Sequence, residues 1–406
     1  MLSRRVAWTV AIVATLTMTV SYIDRATLAI LAPSVTKALD ISETEYGWLT
    51  SAFSVAYLVA TPLAGWWIDR VGARRGLVAS VLAWSAVAAL HCVVPGFGAL
   101  FALRIALGLA EGPSFPGAAQ VLQRVMPPGD RSRGFGVLFT GSSMGSMIVP
   151  LLAGALFAAG GWRFAFFGTA ALGLLWIPLW IGATRLPGVR AVLDAGAGAG
   201  PAAPRATFGE LVGHPLVIRA LIAIFAAAPI SGFAIYWGSK YLHGAFGVPQ
   251  EEVGRYLWLP QLAFDAGAVL LGDLAARQRR APGAPPRLLV AIAIAPAAGL
   301  ALAPHAATPW EGTVLVGIAM IGGGAIYTLV TADLLSRMPP ACVSFAGGIL
   351  AGAQSLALIV MNPLVGAVVD RTGSYDPVTV AIGLWAIPGT IVWLAWRPAA
   401  RFEPRA

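Results

Sequence analysis

Apolar residues occur in stretches of about 20, broken by Gly, Pro and charge, near 7–32, 46–68, 76–94, 97–122, 132–158, 163–184, 216–243, 252–275, 287–303, 311–337, 343–370 and 376–396. Each is long enough to cross a hydrocarbon core about 30 Å thick as a helix. Twelve such spans and their short connections use nearly all of the 406 residues. The pattern predicts an all-α membrane protein with twelve transmembrane helices. The longest break, 185–213, contains DAGAGAGPAAPRA, whose Ala, Gly and Pro content cannot build a packed core and reads as a flexible cytoplasmic linker. It separates an N-terminal six-helix half, 1–184, from a C-terminal six-helix half, 214–406. Gly65 opens GWWIDRVGARR after the second helix, and Gly272 opens GDLAARQRR after the eighth. This weak internal repeat suits a transporter built from two pseudo-symmetric halves.

Composition supports the reading. Hydrophobic residues make up 58% of the chain and charged residues 11%, whereas soluble domains carry roughly 25% charged residues. The net charge of +9 would favour nucleic-acid binding in a soluble protein, but these cations sit in the loops between apolar runs. With the N-terminus inside, nineteen cations from Arg4 and Arg5 to Arg401 and Arg405 fall on the cytoplasmic side, against Lys37, Arg163, Arg255 and Arg371 outside. Both termini are therefore expected in the cytoplasm, with no nucleic-acid partner and the lipid bilayer as surroundings. The excess of Ala, Gly, Pro and Arg suggests GC-rich coding and a bacterial inner membrane. Met1 to Arg5 followed by an apolar run resembles a signal peptide, yet the apolar stretch resumes after Asp24-Arg25, as in an uncleaved first helix. Cys92 and Cys342 lie far apart and His91, His214, His243 and His305 are scattered, so neither a disulfide framework nor a metal site is expected. No GxxxxGK[ST] loop cradles a nucleotide phosphate, so transport is expected to run on gradients without enzymatic chemistry.

GWWIDRVGARR, from Gly65 to Arg75, is similar to the loop signature of the major facilitator superfamily: a glycine, Asp69-Arg70, a second glycine at Gly72, then Arg74-Arg75. Asp69 can accept hydrogen bonds at a neighbouring helix N-terminus while the arginines hold the cytoplasmic face and anionic lipid, making the loop a conformational latch. Plain positive-inside topology explains the arginines but neither the glycines nor Asp69. SYIDRATLAILAPS (21–34), RIALGLAEGPSFPG (104–117), TLVTADLLSR and TGSYDP (372–377) resemble the anion:cation symporter branch, most closely bacterial hexuronate and sugar-acid transporters. The resemblance implies proton-coupled uptake of an organic anion through a central site open alternately to each side, with no cofactor beyond protons as the coupling ion. A monomer is expected. Family members often carry an asparagine in helix eleven where this chain is apolar around Leu356. Gln354, Ser355 and Asn362 are the nearest polar groups, with Gln354 the candidate substrate contact.

A charge within hydrocarbon costs a few kcal/mol even on the mildest scale, so it must face a partner or a water-filled cavity. Asp24 and Arg25 are adjacent on helix one and point about 100° apart. Arg104 and Glu111 lie seven residues apart on helix four and share one face. Burial and a neighbouring arginine act on a carboxyl group in opposite senses, so such a site can exchange a proton at working pH. Asp24 and Glu111 are thus candidate proton carriers, and Arg25 and Arg104 candidate anion sites. The resemblance implies the same roles. The alternative is a structural ion-pair network joining helices one and four.

Lys240, one of two lysines in the chain, either meets a substrate carboxylate or snorkels to the interface. Tyr22 and Tyr57 can bond sugar hydroxyls or anchor at the interface, and the resemblance favours the cavity. Asp265 has no cation at helical spacing and reads as structural. Asp333 and Arg337 have the spacing of an intrahelical ion pair near an inner gate. Gly141 and Gly145 form a GxxxG pair suited to close helix packing. A drug/proton antiporter of the same fold usually has adjacent Gly-Pro in helix five, which is lacking here. Uptake of another monocarboxylate is the nearer alternative. A sensor would normally need an output domain.

Overall fold

Hydrocarbon offers no water to the backbone, so each apolar stretch must close its own hydrogen bonds as a helix. A computed structural model describes residues 2–195, 207–278, 285–339 and 342–398. It is 89% helix, with no strand among the described residues. Residues 196–206 of the expected linker 185–213 lie outside them, as do Arg205, Arg279, Arg280, Arg401 and Arg405. The chain forms two units.

The first unit comprises Met1–Pro201 and Pro249–Trp258. It contains α1 (Arg4–Ile30), α2 (Glu43–Val71), α3 (Ala73–Leu90), α4 (Phe97–Glu111), α5 (Ser114–Val125), the pair α6 (131–159) and α7 (162–184), and a short α8 (Val189–Asp194). Ser42 and Glu45 close a capping box at the start of α2, with reciprocal bonds of 3.2 and 2.9 Å. Gly160 and Gly161 leave helical dihedral angles and separate α6 from α7 within Arg131–Thr184.

The helix expected over 97–122 is interrupted, because Pro113 and Pro116 have no N–H to give the preceding turn; α4 ends at Glu111 and α5 begins at Ser114. Ten helices among the described residues are individually long and apolar enough to cross a membrane. Treating α4–α5 as one crossing and Arg131–Thr184 as two gives the twelve expected from the sequence.

Helix α1 packs along α6 through Gly141 and Gly145. A Cβ at these positions would lie 2.7 Å from the Thr15 carbonyl oxygen and 2.5 Å from that of Thr19, so only glycine permits this approach. Trp84, Trp176 and Trp180 fill the interior. The Trp176 indole donates to the Val13 carbonyl at 2.8 Å, and that of Trp180 to the Arg74 carbonyl at 3.0 Å. Val59 and Leu63 of α2 and Leu174 and Leu175 of α7 are exposed, as a lipid-facing wall requires.

The second unit comprises Ala202–Val248 and Leu259–Ala406. Its helices are α9 (Pro215–Gly232), α10 (Gly238–Phe246), α11 (Gly254–Arg277, whose first residues belong to the first unit), α12 (Arg287–Ala298), α13 (Pro309–Ser336), α14 (Val343–Thr372) and α15 (Asp376–Ala395). Helix α9 packs against α13, α14 and α15. It joins α10 through one wide π turn, Phe233–Trp237.

The expected Asp333–Arg337 pair forms at 2.8 and 3.0 Å. Arg219 of α9 is buried and joins this pair. It donates to Asp333 at 2.6 Å and to the Trp396 carbonyl at 3.1 Å, with its guanidinium 4.4 Å from the Trp393 ring centroid.

Candidate functional site

The first unit gathers its intramembrane charges where α1, α2 and α4 meet. Ser21 and Arg25 are one helical turn apart on α1 and converge on Glu111 at the end of α4. Ser21 Oγ donates to Glu111 Oε2 at 2.9 Å, and Arg25 donates to the same oxygen from Nη2 at 3.1 Å and Nε at 3.3 Å. Glu111 is fully buried, while Arg25 is 9% exposed.

Aromatic rings surround this guanidinium, with centroids at 4.4 Å for Tyr57, 4.6 Å for Tyr22 and 4.8 Å for Phe53. Arg104 sits 4.8 Å from the same Phe53 ring, and its Nη1 donates to the Arg25 carbonyl at 3.4 Å. Ring faces attract cations and orient a guanidinium without neutralising it. The guanidinium of Arg25 is thus shared between these rings and Glu111.

Of the two arginines named as candidate partners, Arg25 is the one that binds Glu111. Arg104 and Glu111 are both buried on α4, whereas Arg25 is on another helix. Seven residues along a helix leave about 10 Å between the two positions, whereas α1 brings Arg25 directly alongside. Sequence reasoning also missed Ser21 and Phe53. Each carries a signal, since Ser21 is four residues from Arg25 and Phe53 four from Tyr57.

Asp24 points away from this pair, as the 100° step requires. It is buried, and neither carboxylate oxygen has a hydrogen-bond partner among the described residues. The Trp84 indole N–H of α3 interacts with it, although neither group completes a hydrogen bond of normal geometry. Glu111 lies within Coulombic reach of Asp24.

The loop signature is built differently from expectation. Asp69 acts on the start of α3 through Gln120 of α5: Gln120 Nε2 donates to Asp69 at 2.6 Å, and Gln120 Oε1 accepts from the Ala73 N–H at 3.1 Å. Gly72 joins α2 and α3 at φ 83°, a conformation that favours glycine. Gly65 is less constrained, since a Cβ there would meet only Pro116 Cβ, at 4.0 Å. Arg70 stacks on Trp66 at 3.7 Å, Arg74 binds Asp194 of α8 at 3.0 and 2.8 Å, and Arg75 is exposed.

In the second unit Lys240 is buried on α10, directly after the π turn, so it does not snorkel. Trp237 of that turn donates to Asn362 Oδ1 at 3.0 Å. Asn362 is fully buried, and its Nδ2 has no partner among the described residues. Gln354 and Asp265 are half-buried. Asn362 thus combines full burial with an unused donor, which Gln354 does not. Among the described residues no group of three His, Cys, Asp or Glu side chains could hold a metal.

Residues 14–357 match the model of the Major Facilitator Superfamily. The chain belongs to the Major Facilitator Superfamily. It is accordingly an integral membrane transporter, with twelve helices in two pseudo-symmetric halves, and not an enzyme. It is 25% identical over 418 residues to the probable galactarate/D-glucarate transporter GudP of Bacillus subtilis strain 168, covering 96% of this chain and 91% of that protein. It is also 25% identical over 407 residues to the hexuronate transporter of Escherichia coli strain K12, covering 95% and 92%. A solved bacterial homologue of the human lysosomal transporter Spinster superposes with a TM-score of 0.80 at 18% identity, covering 98% of this chain and all of the other. That likeness shows a shared major facilitator fold.

Proposed function

We propose that this transporter couples uptake of a sugar acid, a hexuronate or a related aldonate or aldarate, to proton entry by alternating access. The observation that carries the reading is the Arg25–Glu111 pair, buried among Tyr22, Phe53 and Tyr57 with Arg104 adjacent. Relatives named as sugar-acid transporters supply the substrate class.

An incoming carboxylate competes with Glu111 for Arg25. A proton on Glu111 weakens its hold on the guanidinium, so substrate and proton favour each other's binding, as symport requires. Asp24 serves as the second proton carrier. Tyr22 and Tyr57 offer hydroxyls and ring faces to the sugar; within the second unit, Lys240, Gln354 and Asn362 are candidate donors. Both termini face the cytoplasm of a bacterial inner membrane, and the working unit is a monomer. Gly65, Asp69, Arg70, Gly72, Arg74 and Arg75 form the latch.

The test is uptake by proteoliposomes of glucuronate, galacturonate, galactonate and glucarate under an imposed proton gradient. Accumulation of at least one acid, abolished by a protonophore, is expected. Accumulation that is indifferent to the protonophore overturns the coupling, and failure of all four acids overturns the substrate class.

A further inference from the structure

A cleft on the wall of the first unit remains outside the transport site. It lies where α3 meets α7 and α8 and has a volume of about 390 Å³. Arg74 and Arg75 of α3 and Arg190 of α8 form its polar end, and Val78, Leu82 and Ile181 its apolar end. Arg75, Arg190, Leu82 and Ile181 are all exposed.

Asp194 stands among the three arginines. Arg74 binds it through two nitrogens, whereas Arg75 and Arg190 act on it through their charge. One carboxylate against three guanidiniums leaves two positive charges in excess. Helix α8, which carries Arg190, is held by its buried Val189 and Leu193 and by a hydrogen bond from Arg124 to the Leu193 carbonyl. The backbone that carries Arg190 is therefore held beside α3.

An excess of positive charge at one end and hydrocarbon at the other, on a wall that stands in lipid, matches an amphiphile with an anionic head. A dissolved anion would use the arginines and leave Val78, Leu82 and Ile181 without a role. We propose that this cleft binds an anionic phospholipid from the leaflet at this end of the helices, with its phosphate on Arg75 and Arg190 and its acyl chain along Val78, Leu82 and Ile181. A lipid held there bridges α3 to α7 and α8.

The experiment measures melting of the detergent-purified full chain against phosphatidylglycerol, phosphatidylcholine and glycerol 3-phosphate. Phosphatidylglycerol should raise the melting temperature saturably, and the other two should not. Arg75→Gln combined with Arg190→Gln should weaken the phosphatidylglycerol response at least tenfold. Ala79→Trp, which fills the cleft and keeps all three arginines, should do the same. An equal response to glycerol 3-phosphate would reduce the site to a simple anion contact and overturn the proposal, as would an equal response to phosphatidylcholine. So would an unchanged phosphatidylglycerol response in either variant that melts cooperatively without lipid.

Discussion

Replacing Glu111 by Gln separates proton coupling from structural pairing. The amide keeps an oxygen to accept from Ser21 and Arg25, now 2.9 and 3.1 Å away, but it removes the charge and the exchangeable proton. Removing one partner of a buried ion pair costs about 3–5 kcal/mol. Tyr22, Phe53 and Tyr57 remain around the guanidinium, so we expect a loss near the lower end, about 3 kcal/mol. With the carboxylate charge gone, Arg25 is more available to substrate. If about half of the loss is recovered on binding, the sugar acid should bind roughly tenfold more tightly than to wild type.

Gradient-driven accumulation should vanish in this variant, because no proton can load at position 111. Exchange of external for internal substrate needs no net proton movement and should survive. Both are read in proteoliposomes, with a melting curve of each preparation in the presence and absence of the acid. Accumulation against a gradient in Glu111→Gln would refute the reasoning and remove Glu111 from coupling. Parallel loss of stability, binding and exchange would instead identify the Arg25–Glu111 pair as a structural tie between α1 and α4.

Other variants test the neighbouring assignments. Asp24→Asn should melt close to wild type, since neither carboxylate oxygen is hydrogen-bonded, yet lose accumulation; full accumulation would leave Glu111 as the proton carrier. Arg104→Gln and Lys240→Gln should each weaken binding of the acid about tenfold or more while leaving a neutral sugar analogue nearly unaffected, because a hydrogen bond to a charged group contributes about 1.5–3 kcal/mol. Equal losses for acid and neutral analogue would indicate damage to the fold. Asp333→Asn removes the carboxylate that the buried Arg219 and Arg337 share and should destabilise by about 3–5 kcal/mol in thermal unfolding; a loss below about 1 kcal/mol would show that the cluster is solvated. Hydrogen bonding from Arg74 holds the Asp194 carboxyl below its usual range, so its stabilising effect is complete above the unfolded value of about 3.9 and disappears as pH falls through the lower folded value. Melting of wild type and Asp194→Asn should therefore differ modestly, by less than about 1 kcal/mol for this partly exposed pair, and converge below about pH 4. A gap that widened on acidification would contradict the sign.

The spans were legible because hydrocarbon requires long apolar helices, and composition alone records that requirement. The break at Gly112 and Pro113 was not, because the hydropathy of 97–122 is continuous across it. Its signal was the proline pair, 113 and 116, whose missing donors interrupt the ladder without lowering apolarity. Candidate charges could likewise be identified one by one, whereas their partners could not. Spacing along α4 identified the face shared by Arg104 and Glu111, but the bond to Arg25 depends on how α1 packs against α4. Gly141 and Gly145 set part of that packing by bringing α6 onto α1. Gln120 was equally hidden, since its two contacts join α2 and α3 from a third helix.

In the proposed mechanism the two buried carboxyl groups are adjacent in effect and different in role. Glu111 in that mechanism shares its guanidinium with the arriving anion, so its proton affinity depends on whether substrate is present. Asp24 has no such partner. Trp84 and the field of Glu111 act on it, and in this mechanism substrate reaches it through a change at Glu111. A proton placed on Glu111 removes a negative charge near Asp24, and release of that proton restores it. Substrate can thereby influence a second proton site without touching it, provided that the reach is Coulombic and the medium is poor in water. The adjacent residues of Asp24-Arg25, directed to different sides of α1, are the sequence feature that would make this possible: on the proposed reading one helix supplies the anion site on one face and a second, field-coupled proton site on the next.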